Sequence, residues 1–175
     1  PAKPYTGIVG LDTEIRGAGL SPISGGFTIV LRNSEQSYSG PAEYVSSTRL
    51  KAQISGVWPG TYDLVLQYAG DNGQPKEQVC AGCVRTYWSL YYYGYQEFAP
   101  IGATTTLTLY GTGFEDITDV KVSGTRVRVT SSASVDSGLE VTLDVAANAA
   151  TGDRTITVTR ADGATVTVPL YIYLP

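Results

Sequence analysis

The sequence contains no histidine and no methionine, and it has two cysteines. Without histidine, neither a Ser/His nor a Cys/His nucleophile can form, and the usual acid or base for neutral pH is missing. A pair of carboxylates, as in glycosidases, is the remaining catalytic arrangement. We expect a protein that is not an enzyme and that uses no cofactor.

Charged residues are also scarce, at 16% of the chain, and the formal net charge is -4 with 12 Lys and Arg against 16 Asp and Glu. Neither half is basic, whereas binding of duplex nucleic acid relies on clustered Lys and Arg. No apolar run is long enough to span a bilayer. We therefore expect neither a nucleic-acid partner nor insertion into a membrane.

The densest acidic cluster is formed by Glu115, Asp116 and Asp119, which follow Phe114. Carboxylate oxygens in a loop are ligands that Ca²⁺ prefers, but the spacing is not that of an EF-hand. The cluster is a weak calcium candidate, and a solvated acidic loop is the alternative.

The abundant residues are those of strands and turns, with 20 Gly, 13 Tyr and many Thr. Apolar residues alternate with polar ones through Thr61 to Tyr68, Leu139 to Val145 and Arg154 to Thr159, as expected of half-buried antiparallel strands. Gly and Asp-Gly turn signals separate these segments. The pattern predicts an all-β fold made of two tandem immunoglobulin-like β-sandwich domains.

Two domains are predicted because the chain repeats itself at a period of about 90 residues, too long for a solenoid. The offset is 92 residues at Gly60 but 80 at Leu90, which indicates a 12-residue insertion between Gly70 and Leu90. We predict domains over residues 1–98 and 99–175, the first with a Cys-bearing hairpin insertion and a Tyr-rich last strand. The matching segments are Leu50 to Ile54 with Leu139 to Leu143, Gly60 to Ala69 with Gly152 to Ala161, and Leu90 to Tyr93 with Leu170 to Tyr173.

A family resemblance rests on two segments of the second half. Leu107 to Phe114 (Leu-Thr-Leu-Tyr-Gly-Thr-Gly-Phe) and Gly152 to Gly163 resemble the strand, turn and closing hairpin of IPT/TIG-type immunoglobulin-like domains. The resemblance covers residues 103–168, and the first half resembles a divergent copy without the Gly-Thr-Gly-Phe element. It implies an immunoglobulin-like sandwich that serves as a spacer, an adhesive module, a receptor unit or an accessory module of a polysaccharide enzyme.

The only thiol motif is Cys80-Ala81-Gly82-Cys83. A redox pair would need a βαβ context, and a zinc site would need further ligands. A disulfide that closes a turn, with Gly82 in an unusual backbone conformation, is favoured over free thiols. It predicts an oxidising compartment, either extracellular or at the cell surface, after removal of a leader or within a longer protein.

The tyrosines are the sharpest signal for a site. Read as one strand, the segment around residues 84–95 places a stripe of tyrosines on one side, spaced by roughly 7 Å. The stripe is interpreted as packing between domains or in the core, as a protein interface, or as a stacking platform for sugar rings. The candidate binding residues are Tyr87, Tyr91, Tyr93, Tyr95, Tyr171 and Tyr173.

These features favour a non-catalytic extracellular structural or adhesive protein, a subunit of a prokaryotic surface filament or layer. We expect head-to-tail assembly, with the tyrosine-bearing strands of one copy meeting the N-terminal region of the next or with residues 1–15 donated as a strand. The partner is then a second copy or another surface protein. The alternatives are a carbohydrate-binding module with polysaccharide as partner, a spacer of a larger secreted protein, and a virion decoration protein.

Overall fold

The computed structural model describes residues 11–22, 25–70 and 72–175. These residues form 14 strands and contain no helix, and in particular no helix able to cross a membrane. The all-β prediction is confirmed. The chain divides into two compact units, one up to Tyr87 and one from Trp88.

The first unit contains β1 (Leu11–Arg16), β2 (Phe27–Arg32), β3 (Ser37–Ser46), β4 (Arg49–Ile54), β5 (Gly60–Ala69) and β6 (Pro75–Thr86). The second contains β7 (Tyr91–Tyr92), β8 (Glu97–Pro100), β9 (Thr104–Thr112), β10 (Ile117–Val122), β11 (Val127–Val135), β12 (Gly138–Val145), β13 (Gly152–Arg160) and β14 (Thr165–Tyr173).

The described strands of the first unit form one antiparallel sheet in the order β1-β4-β3-β2-β5-β6. Strands β2, β3 and β4 follow one another, and β5 returns to pair with β2, which is a Greek key. The ten-residue β3 pairs with β2 on one side and with β4 on the other. That pairing makes the sheet continuous.

The core of the first unit lies on one side of this sheet. Alternation along β2 buries Phe27, Ile29 and Leu31, which stand opposite Tyr68, Leu66 and Leu64 of β5. The two edge strands, β1 and β6, line a common cavity of about 210 Å³ together with residues of β4 and β5. The sheet must therefore curl to bring its edges to the same cavity. The lining includes Ile15 of β1, Leu50 of β4, Leu64 of β5 and Cys80 of β6.

A buried tyrosine fixes the connection from β4 to β5. The Tyr62 hydroxyl lies 2.6 Å from Gln36 Oε1 and 2.8 Å from the Trp58 carbonyl oxygen, which also accepts a hydrogen bond from Thr86 Oγ1 at 2.7 Å. Burial, followed by the neighbouring Tyr38, raises the pKa of Tyr62 to about 12. The connecting segment is therefore held by hydroxyl groups from two strands of the sheet.

The second unit is a sandwich of two four-stranded sheets, β10-β13-β14-β8 and β11-β12-β9-β7. Alternation along each strand sends one set of apolar side chains between the sheets and the other set outward. The inward set is fully or almost fully buried. It comprises Leu107, Leu109, Leu139, Val141, Leu143 and Val145 from one sheet and Ile156, Val158, Val168, Leu170 and Ile172 from the other.

The repeated sequence segments form equivalent strands only in part. Strands β5 and β13 both begin at the glycine where the repeat begins, Gly60 and Gly152. The matching segments at Leu90 and Leu170 are not structurally equivalent. Tyr91 pairs with Thr112 of β9, whereas Leu170 pairs with Arg154 of β13. The strand that follows and pairs with β5 is β6. The apparent insertion is therefore this strand, and residues 88–98, predicted to end the first domain, lie in the second unit.

Candidate functional site

Three exposed tyrosines lie side by side on the outer surface of the sheet β11-β12-β9-β7. They are Tyr91 and Tyr93, at the edge strand β7, and Tyr110 on the adjacent β9, and we refer to them as the tyrosine face. Their exposed fractions are 59%, 46% and 57%. The rings of Tyr91 and Tyr93 are 5.5 Å apart, centroid to centroid, with a tilt of 52°. The Tyr93 amide donates to the Tyr110 carbonyl oxygen at 2.9 Å.

Strand alternation explains why these rings point outward. Tyr92 is buried and stands opposite Gly111, so its neighbours Tyr91 and Tyr93 face away from the core. Tyr110 follows the fully buried Leu109 and faces outward for the same reason. The tyrosine face is therefore a consequence of register, not of a flexible loop.

Two glycines let β7 and the residues directly before it lie close to the rest of the sandwich. A side chain at Gly111 would collide with the Tyr91 carbonyl group, and one at Gly113 would meet the Ser89 carbonyl oxygen at 2.6 Å. Gly113 also has a φ of 75°, which favours glycine. The Gly-Thr-Gly-Phe element thus provides room for the tyrosine-bearing segment, and Thr112 Oγ1 donates to the Ser89 carbonyl oxygen at 3.0 Å.

A buried arginine holds the same segment. Arg160, at the end of β13, is 5% exposed, and its Nη1 donates to the carbonyl oxygens of Trp88 at 2.6 Å and Gly113 at 3.0 Å. Its Nε and Nη2 donate to the two carboxylate oxygens of Asp162 at 3.0 and 2.8 Å. These Arg160 bonds lower the pKa of Asp162 below its usual value. The guanidinium therefore connects the segment at Trp88, the turn at Gly113 and the turn at Asp162.

Tyr92 connects the edges of the two sheets. Its hydroxyl donates to Glu97 Oε1 of β8 at 2.7 Å, while its backbone belongs to β7. Burial, and then the hydrogen bond and charge of Glu97, raise the pKa of Tyr92 well above its ordinary value. A side chain at Gly94 would collide with this hydroxyl, so the turn between β7 and β8 passes directly over it.

A second aromatic group lies on the outer surface of the other sheet. Phe98 of β8 is 54% exposed and stands opposite Tyr171 of β14 in parallel register, with ring centroids 6.3 Å apart. Tyr173 lies two residues further along β14 and is 38% exposed. The two C-terminal tyrosines predicted as site residues thus belong together, but on a different sheet from Tyr91 and Tyr93.

The remaining predicted tyrosines lie elsewhere. The single strand predicted across residues 84–95 is wrong, because β6 ends at Thr86 and β7 contains only Tyr91 and Tyr92. Tyr87 belongs to the first unit, where its ring lies 5.5 Å from Arg85 Cζ. Tyr95 is 96% exposed in the turn between β7 and β8.

Two aromatic residues of these groups, Tyr110 and Phe98, are not among the predicted site residues. Tyr110 is preceded by the alternation of Leu107 and Leu109, which already indicates an outward-facing side chain. It directly precedes the Gly-Thr-Gly-Phe element of residues 111–114. Phe98 is the last residue of the predicted first domain, and the structure places it in β8.

The predicted disulfide is confirmed. Cys80 and Cys83 are bonded within β6, and Gly82 has a φ of 61° as the turn requires. Residues 81–83 bulge opposite Asp63 alone, and Asp63 Oδ1 accepts a hydrogen bond from the Gly82 amide at 2.8 Å. The disulfide therefore shapes a bulge in an exposed edge strand.

The acidic residues predicted as a weak calcium candidate are divided between the turn before β10 and β10 itself. Within residues 11–22, 25–70 and 72–175, no three His, Cys, Asp or Glu side chains are placed to hold a metal ion. The carboxylate of Asp119 lies in β10 and is paired with Lys121 Nζ. Asp116 occupies the turn before β10 with a φ of 52°.

A family model matches part of the second unit. Residues 99–172 match the family model for domain III of the alpha subunit of quinohemoprotein amine dehydrogenase. The matched range runs from β8 to β14. No curated protein matches the chain. IPT/TIG membership, expected over an overlapping range, stays a prediction.

Among solved structures, the chain is similar to the mixed-linkage glucan utilization locus protein SGBP-B of Bacteroides ovatus, in complex with a mixed-linkage heptasaccharide. The identity is 20% and the TM-score is 0.37, over 84% of this chain and 39% of the other. The chain thus spans about two fifths of the length of that protein.

Proposed function

We propose that the chain is a non-catalytic extracellular carbohydrate-binding protein that takes up a neutral polysaccharide on the tyrosine face. The observation that carries this proposal is the grouping of Tyr91, Tyr93 and Tyr110 on one side of a sheet, each about half exposed. Tyrosine combines an apolar ring for stacking with a hydroxyl that remains hydrated. The Cys80–Cys83 disulfide supports an oxidising, extracellular location.

The size of the face favours a sugar chain over a protein. A tyrosine side chain presents about 150–250 Å² when fully accessible, so three half-exposed rings offer roughly 300 Å². A standard protein interface buries about 800 Å² on each partner. The face is therefore large enough for a few sugar rings and small for a stable protein contact.

The surroundings of the face favour an uncharged, hydroxyl-rich ligand. Its neighbours on the outer surface include threonine hydroxyls, and Thr106 and Thr142 hydrogen-bond each other across β9 and β12 at 3.0 Å. Glu140 stands opposite Thr108 on the same surface. A carboxylate accepts hydrogen bonds from sugar hydroxyls but repels an acidic polymer. We therefore expect a neutral polysaccharide.

The test is binding to a panel of neutral polysaccharides, namely β-glucan, mannan and galactan, by affinity electrophoresis and isothermal titration calorimetry. We expect Tyr91→Ala and Tyr110→Ala each to weaken binding at least about tenfold, which corresponds to about 1.4 kcal/mol. Tyr95→Ala is the matched control, since Tyr95 is more exposed but lies outside the face. No binding across the panel, or equal binding by all three variants, would refute the proposal.

The second candidate is the structural role, in which copies assemble into a surface filament or layer. The observation in its favour is β6, a 12-residue edge strand with no hydrogen-bonded strand on its outer side among the described strands. Such an edge can accept a strand from another chain. The predicted donor arm covers residues 1–15. Its last part belongs to Leu11–Arg16, which already pairs with β4, and residues 1–10 lie outside the described part.

Sedimentation at rising concentration, with electron microscopy, tests this second candidate. We expect oligomers that are dispersed by Val79→Lys, a substitution at an exposed position in the middle of β6. Val45→Lys, at a similarly exposed position on β3, is the control. A monomer at all concentrations, without filaments, counts against assembly.

A further inference from the structure

We infer that the second unit carries a second carbohydrate face on its other sheet, formed by Phe98, Tyr171 and Tyr173, and that the chain therefore cross-links polysaccharide. This inference rests on the proposed function of the tyrosine face, but different residues carry it. We refer to these three residues as the Phe98 face.

The geometry of the Phe98 face is that of a short aromatic row. The parallel pairing of β8 with β14 places Phe98 opposite Tyr171 and Pro100 opposite Tyr173, so the side chains leave the sheet on the same side. Ala99 and Ile172, between them, are fully buried, which confirms that the aromatic residues face outward. The ring planes of Phe98 and Tyr171 are tilted by 58°.

Polar groups for sugar hydroxyls lie beside the rings. Asp153 of β13 stands opposite Tyr171 on the same surface, and Gln96 Nε2 lies 3.4 Å from Asp153 Oδ1. A carboxylate accepts hydrogen bonds from hydroxyl groups, and a side-chain amide both donates and accepts. An aromatic row flanked by such groups suits a neutral sugar chain, because stacking and hydrogen bonding act on the two kinds of surface that a sugar presents.

The two faces cannot serve one extended ligand. They belong to opposite sheets of a sandwich, whose outer surfaces point in opposite directions, and the sheets themselves are about 10 Å apart. A chain lying on the tyrosine face therefore leaves the Phe98 face open for a second chain. One molecule then joins two polysaccharide chains, and binding to a dense polymer gains avidity.

The first experiment counts sites on the intact chain. Isothermal titration calorimetry is run with hexasaccharides of the neutral polymer that binds, choosing among cellohexaose, mannohexaose and the β-galactan hexamer. We expect two sites per wild-type chain and one site each in Phe98→Ala and Tyr91→Ala. Tyr173→Ala repeats the test with a residue at the end of β14, and circular dichroism checks that each variant is folded.

The second experiment measures cross-linking by turbidity of the long polymer mixed with protein. We expect the wild type and the Tyr95→Ala control to precipitate the polymer, and Phe98→Ala to bind it without precipitation. One site in the wild type, or undiminished precipitation by both Phe98→Ala and Tyr173→Ala, would overturn the second face while leaving the tyrosine face standing. Dimers of the wild type that form without polysaccharide and vanish in Phe98→Ala would assign the Phe98 face to a second copy instead.

Discussion

Replacement of Arg160 by methionine should destabilise the second unit far more than loss of a surface ion pair does. Methionine retains much of the aliphatic volume but has no donor for the carbonyl oxygens of Trp88 and Gly113, which Nη1 of Arg160 contacts at 2.6 and 3.0 Å. Arg160 is 5% exposed, so water does not readily replace these bonds.

The expected magnitude follows from these contacts. Each hydrogen bond to a charged group contributes about 1.5–3 kcal/mol, so losing two lowers the free energy of unfolding by about 3–6 kcal/mol. The pair with Asp162 adds less, because that carboxylate is 36% exposed and solvent screens it. Arg160→Lys keeps one charged donor and should recover part of the loss, although it lacks the planar fork.

The assay is urea unfolding of the whole chain, followed by hydrogen exchange and mass spectrometry of peptides from β9, β13 and β14. The free energy of opening, measured by exchange, should fall in these peptides and stay unchanged in peptides from β2 and β5 of the first unit. The pH dependence provides a second readout. Asp162 has a lowered pKa in the folded state, so its contribution is present above the unfolded value of 3.8 and is lost as pH falls through the folded value. Arg160→Met should lose this acid-sensitive component.

A loss below about 1 kcal/mol in Arg160→Met would refute the reasoning, because it would place these hydrogen bonds in the range of exposed pairs. Equal losses in both units would also contradict it. Asp162→Asn is the matched variant, since it removes only the partly exposed partner. It should cost less than Arg160→Met.

Three further changes have expected outcomes. Tyr92→Phe removes the bond to Glu97 and should lower the free energy of unfolding by about 1–2 kcal/mol in urea titrations. Because the folded pKa of Tyr92 is raised, its contribution is present below the ordinary value of 10.0 and is lost as pH rises beyond it, so the variant should lose less stability than the wild type above pH 10. Gly113→Ala should lower the melting temperature through about 1–3 kcal/mol of strain, since its φ is 75° and the Ser89 carbonyl oxygen is close, while Ala103→Gly should not reproduce it. Replacing both cysteines by serine should cost at most about 2 kcal/mol, because the closed loop is short, and a larger loss on thermal melting would contradict this.

Local alternation was sufficient to predict many of the strands. Leu107 and Leu109 alternate with threonines, and β9 lies where this pattern predicts it. The glycines at 60 and 152 mark the starts of β5 and β13 in both halves. These features depend on neighbours in sequence, which is why a single chain reveals them.

Pairing partners could not be predicted in the same way. The segments at Leu90 and Leu170 have similar residues, yet one pairs with β9 and the other with β13. Nothing within either segment specifies which strand it meets, because that depends on closure of the whole sandwich. The composition of the tyrosine face could not be predicted for the same reason, since only the pairing of β7 with β9 brings Tyr110 close to Tyr91.

The segment from Trp88 to Pro100 passes from one sheet to the other and supplies rings to both outer surfaces, Tyr91 and Tyr93 to one and Phe98 to the other. Its anchors, Gly111, Gly113 and Arg160, belong to the framework. The segment also supplies Tyr92 and Ala99 to the core, so its inward residues fix the place of its outward rings. A change in the length of this segment therefore displaces exposed aromatic rings on both outer surfaces at once.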